Sequence, residues 1–111
     1  VVRISVGRKY SLAAGETKEF SAYTVPDATK FKLLSACVHF PAGTESKVEV
    51  TVWHGIKQVI PEEGSITGDD TTLCFETEAV YESGSSVIVK AVNNDTANPK
   101  EFSIELEGEL E

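Results

Sequence analysis

The 111-residue sequence has no Met, one Trp, two Cys, two His and four Pro, and each scarcity narrows what the chain can be. Its apolar runs fall far short of the ~20 residues that cross a bilayer as a helix, and no basic amphipathic stretch would lie on one. A membrane partner is therefore not expected. A structural zinc site takes four Cys or His ligands, and the only such residues, Cys37, His39, His54 and Cys74, are scattered without C-x-x-C spacing. The glycines are isolated, so no loop cradles phosphate. Residue 1 is Val and no signal-peptide pattern leads the chain, which leaves processing ahead of it, and export, open.

Positive charge is scarce where it would matter most. Net charge is −8, but residues 1–55 hold seven Lys/Arg against five Asp/Glu, whereas residues 56–111 hold three against thirteen, and no Arg follows Arg8. Such a field repels polyanions, so nucleic acid is not an expected partner.

What is abundant is Val, Thr and aromatic residues, a set suited to a pleated surface. Val2–Val6 alternates with period two until Gly7, which reads as the end of a first strand. Thr17–Val25 forms a second, closed by Pro26 and Asp27. Phe31–Phe40 is the most apolar, with Phe31, Leu33 and Cys37 on one side and Leu34, Ala36, Val38 and Phe40 on the other, so both faces call for cover. Lys47–His54 turns Val48, Val50 and Val52 inward and Trp53 outward. Ile56–Ile60, Thr71–Ala79, Val87–Val92 and Glu101–Leu110 complete eight strands, the last alternating Phe102, Ile104, Leu106, Gly108 and Leu110 against Ser103 and three glutamates. No ten-residue stretch repeats apolar positions at helical spacing.

Short strands at this spacing indicate one domain over residues 1–111: an all-β, eight-stranded antiparallel sandwich, jelly-roll-like, with an immunoglobulin- or fibronectin-like sandwich as the alternative. Cys37, Trp53 and Cys74 occur in the immunoglobulin order, but only 37 positions separate the cysteines. Strand parity sets Cys37 with Phe31 and Cys74 opposite Leu73 and Phe75, so buried or half-buried thiols are expected in preference to a disulfide.

Candidate chemistry is thin. His39 shares parity with Phe31 and Cys37 and reads as a hydrogen-bonded, partly packed residue. His54 could approach Cys74, but no nucleophile motif accompanies it, so no catalysis is expected. No cofactor is expected either; calcium is the alternative, through oxygen ligands in Glu62-Glu63, Asp69-Asp70 and Asn93-Asn94-Asp95. The candidate ligand or subunit contacts are the outward aromatics Trp53 and Tyr23, and Val38 and Phe40 on the second apolar face of residues 31–40.

The stretch Phe20 to Val38, a strand ending in Val25-Pro26 followed by a longer apolar strand, resembles the opening of small viral and phage jelly-roll accessory proteins. Val87 to Asn94 and Asn98 to Gly108 resemble their close, an apolar strand, an Asn-rich turn and a final alternating strand. The likeness spans about two thirds of the chain. It implies a non-enzymatic structural protein that decorates a capsid or forms a fibre, on a virion or extracellular surface. It also implies a homo-oligomer, often a trimer, within a larger assembly. The alternative is a carbohydrate- or protein-binding sandwich module, which would stack a ligand on Trp53 and Tyr23.

Overall fold

The computed structural model describes all residues from Val1 to Glu111. Eight strands follow in order: β1 (Val2–Leu12), β2 (Thr17–Thr24), β3 (Phe31–Phe40), β4 (Val48–His54), β5 (Lys57–Ile60), β6 (Thr71–Tyr81), β7 (Ser86–Asn93) and β8 (Lys100–Leu110). They form two four-stranded sheets, ordered β1-β8-β3-β6 and β2-β7-β4-β5. The pairing is nested: β1 lies against β8, β2 against β7, β3 against β6 and β4 against β5, all antiparallel. The chain is thus a long hairpin reversed at Gly55-Ile56 and rolled so that successive strands alternate between layers except at β4 and β5, which share a sheet, the jelly-roll arrangement. At the reversal Gly55 takes φ 60°, as the first central position of a two-residue hairpin turn requires, and Ile56 follows fully exposed.

Gly7 does not end β1. It pairs with Glu105, and the strand continues to Leu12 because β8 supplies a partner along its whole length. The immunoglobulin alternative is set aside by the strand order and by the cysteines, which lie on neighbouring strands of one sheet, whereas an immunoglobulin disulfide joins the two sheets.

The core is a single cluster of 21 buried residues from the two inner faces. Strand β3 supplies five of them: Phe31, Leu33, Ala36, Val38 and Phe40, each with no exposed surface. Strict alternation cannot place these five on one face, and a β-bulge resolves the conflict. Between Leu33 and Ser35 the register slips against both neighbours, so two residues of β3 span the single step from Gly108 to Glu107 on β8. Leu34 and Ser35 take up the extra residue, both half-buried, and parity inverts beyond them. The two apolar faces expected for residues 31–40 are therefore one face, and Cys37 turns outward.

Gly108 is needed beneath Phe31. A Cβ there would run into the Phe31 ring and the Lys32 carbonyl. The bare backbone lets the ring settle between Tyr23 and Tyr81, at centroid distances of 5.0 and 6.4 Å.

At one end of the sandwich the loops hold one another. Buried Asn93 donates to the carbonyls of Ala13 and Asn98 at 3.1 and 3.0 Å and accepts from the Asp95 amide at 3.0 Å. Asp95 accepts from the amides of Ala97 and Asn98 at 2.9 and 3.0 Å and lies 3.4 Å from Lys100, which donates in turn to the Gly43 carbonyl at 2.6 Å. The Ala97 amide, the Asn98 bonds and the Lys100 ammonium hold the Asp95 carboxyl below the usual aspartate range, at about 2.

Two outcomes are expected. Phe31→Ala should lower unfolding free energy by about 3 to 5 kcal/mol in urea titrations, since it removes a fully buried ring; a loss under about 1 kcal/mol would mean the ring is not in the core. Because the folded-state pKa of Asp95 is depressed, its stabilisation is present above the unfolded-state pKa and is lost as pH falls toward about 2. The urea midpoint of the native chain should therefore fall more steeply over that acid range than that of Asp95→Asn.

Candidate functional site

With the inner faces closed, recognition is left to two outer faces and two open edges. On the outer face of β2-β7-β4-β5, Trp53 stands beside Ile88, its cross-strand partner. Its indole Nε1 donates to Thr51 Oγ1 at 2.8 Å, and Lys90 Nζ sits 3.9 Å from the ring centroid while reaching Glu19 at 3.3 Å. One ring face is thus occupied by a cation–π contact, which holds the side chain against the sheet and leaves less of it for a stacked sugar. Alternation correctly turned Trp53 outward, and it is half-buried.

The other three candidates lie elsewhere. Val38 and Phe40 have no exposed surface and face the opposite sheet, so they are not contact residues; the β3 bulge reverses their parity. Tyr23 is half-buried and packed on Phe31, because β2 carries its own register shift between Ser21 and Tyr23. Trp53 and Tyr23 therefore do not share one exposed platform.

The outer face of β1-β8-β3-β6 is polar and densely charged. Arg3 pairs loosely with Glu107 and Glu109 at 3.7 and 4.0 Å, and Lys9 with Glu101 at 3.4 Å. Cys37 and Cys74 face each other directly across β3 and β6 and are joined as a disulfide, so both thiols expected from parity are absent. Here too the bulge decides: it brings Cys37 to the face that Cys74 already occupied. Beside the bridge, His39 Nδ1 lies 2.9 Å from Thr72 Oγ1 with the ring exposed. His54 does not approach Cys74; it packs on Tyr81 at 4.2 Å, on the β4 side of the sandwich. Burial pushes the Tyr81 phenol well above its ordinary pKa, and its hydroxyl donates to the Trp53 carbonyl at 3.1 Å.

The oxygen-rich loops considered for calcium are engaged otherwise. Asp69 accepts from the amides of Gly43 and Glu45 at 2.9 and 3.0 Å, and Asn94 donates to Glu49 at 2.7 Å. That bond, with a second from Ser65, lowers the Glu49 pKa. No three acidic, imidazole or thiol groups converge on one point.

At one edge the layers part between β5 and β6 to leave a groove of about 860 Å³, floored by Val59, Phe75 and Ala79 and rimmed by Glu62, Glu76 and Glu78. Apolar side chains left exposed on the surface include Ile56 at the hairpin tip, Val80 on β6 and Val2 on β1. Ile56 was legible in principle, since a side chain following Gly in a two-residue turn has nowhere to go but solvent.

The chain matches no protein-family model, and no curated protein sequence is similar to it. Solved structures do resemble it. A chain of the cyanophage Pam1 capsid is similar at 8% identity and a TM-score of 0.60, over 96% of this chain and 83% of that one. A chain of the acid-stable capsid of Helicobacter pylori bacteriophage KHP30 is similar at 13% identity and 0.59, over 98% and 89%. What is shared is the fold. The Yersinia pseudotuberculosis-derived mitogen has it too, at 16% identity and 0.54 over 95% and 86%, so the architecture does not by itself assign a role.

The disulfide closes 37 residues of chain, which by loop entropy should contribute about 4 kcal/mol. Cys37→Ser/Cys74→Ser should stay folded yet lose about 2 to 4 kcal/mol in urea. The native protein, denatured without reductant, should release no titratable thiol; two free thiols would disprove the bridge.

Proposed function

We propose that this chain is a non-enzymatic structural domain whose role is association, as a decoration or fibre domain in an assembly such as a virion surface. One observation carries the reading: the strand order β1-β8-β3-β6 over β2-β7-β4-β5, with the likeness of nearly the whole chain to chains of two phage capsids. The placement of the reactive side chains supports it. His39 is engaged by Thr72, His54 by Tyr81, and both cysteines are oxidised to one another. A disulfide on an exposed sheet face suits an exterior, oxidising location. The excess of carboxylates on β6 and β8 favours a protein partner over nucleic acid. The partner proposed is a further copy of the chain, three copies forming the unit.

Light scattering across a concentration series tests this directly. The expected mass is that of three chains, reached reversibly as concentration rises. A mass of one chain at every concentration would count against the proposal.

A further inference from the structure

We infer that copies of this chain associate edge to edge, with β1 of one copy adding to β6 of the next so that the β1-β8-β3-β6 sheet continues across the contact. The inference rests on the assembly reading above and names the surface that would carry it.

Both strands end their sheet, and both are eleven residues long. Neither takes part in any backbone–backbone hydrogen bond beyond its own ladder, so each presents a row of free amides and carbonyls. Direction is already correct. The sheet is antiparallel at every step and holds four strands, so its first and last strands run oppositely. A copy shifted sideways without turning therefore brings its β1 antiparallel to β6, as strand addition requires.

The side chains match in the same register. Following the ladder rows across the sheet, Ile4 shares a row with Ala79 and Val6 with Phe75. Strands β1 and β6 of neighbouring copies can follow only one of these rows, since Ile4 and Val6 are two residues apart and Ala79 and Phe75 four. With Val6 opposite Phe75, Ile4 comes opposite Thr77 and Val2 opposite Ala79 on the inner face, and the half-buried Ile4, Phe75 and Ala79 gain cover they lack within one chain. In that register Arg3 comes opposite Glu78 and Ser5 opposite Glu76 on the outer face.

Charge then selects which edges meet. Strand β1 bears Arg3, Arg8 and Lys9 and no acid, while β6 bears Glu76 and Glu78 and no base. Charges on a sheet edge ordinarily discourage pairing. Here they oppose β1 on β1 and β6 on β6 but favour β1 on β6, so a twofold dimer through like edges is disfavoured and a head-to-tail contact is selected. Such a contact closes into a ring if its rotation allows and otherwise propagates. Arg3 is held only by long, exposed ion pairs to β8 and is free to turn to a new partner.

The test compares solution mass of the native chain with two charge-reversed variants, Arg3→Glu/Lys9→Glu and Glu76→Lys/Glu78→Lys, at low and high salt. Each variant alone should need a roughly tenfold or greater rise in concentration to associate, and an equimolar mixture of the two should recover mixed assemblies that high salt weakens. Recovery on mixing also shows that both variants fold; Arg3→Gln/Lys9→Gln and Glu76→Gln/Glu78→Gln, which should weaken association less, serve if a reversal does not. If the native chain associates but the variants associate equally well, or the mixture fails to recover, the edge contact is overturned while the assembly reading stands. A native chain that remains a monomer overturns both.

Discussion

The single extra residue in β3 is the constraint on which the arrangement of this molecule depends. Without it, Phe31 and Leu33 would face one way and Ala36, Val38 and Phe40 the other, and a central strand of a two-layer sandwich would carry half its apolar side chains into solvent. The bulge at Leu34-Ser35 turns both halves inward, at the cost of one unpaired position and a local increase in twist. From it follow the closed core, the space over Gly108 that Phe31 fills, and the outward aim of Cys37 toward Cys74.

Closing the inner faces so completely moves every candidate for recognition to the periphery. The two outer faces are not equivalent. One carries Trp53 held down by Lys90 and Thr51, a surface built by cross-strand contacts of β4 and β7. The other carries a row of glutamates on β8 flanked by bases on β1, with the disulfide beyond. Between the layers, one edge is basic and the other is acidic and splayed open over Phe75 and Ala79. The polarity of the molecule therefore runs across the sheet, along the direction in which strands are added, and not from one layer to the other.

Pinning at the loop end complements this. Asn93, Asp95 and Lys100 tie the β1–β2, β7–β8 and β3–β4 connections together with bonds that satisfy the buried Asn93 side chain. These loops read as metal ligands in the sequence because the same oxygens that bind cations also cap turns. Their partners here are backbone amides and a lysine, and local composition cannot distinguish the two uses.

Period-two alternation, turn residues and strand count were enough to determine eight strands, the approximate bounds of all but β1, an all-β sandwich and the outward aim of Trp53, because each depends on neighbours a few positions away. The tertiary structure alone decided which face of β3 is buried, that Tyr23 packs on Phe31, that Val38 and Phe40 are core, and that the cysteines meet. Each of these depends on register between strands distant in sequence, and a bulge changes register by one residue without a local signature in Leu34-Ser35. One slipped position inverts every side chain beyond it, so a reading that counts parity from Phe31 is correct to Leu33 and reversed from Ala36 onward.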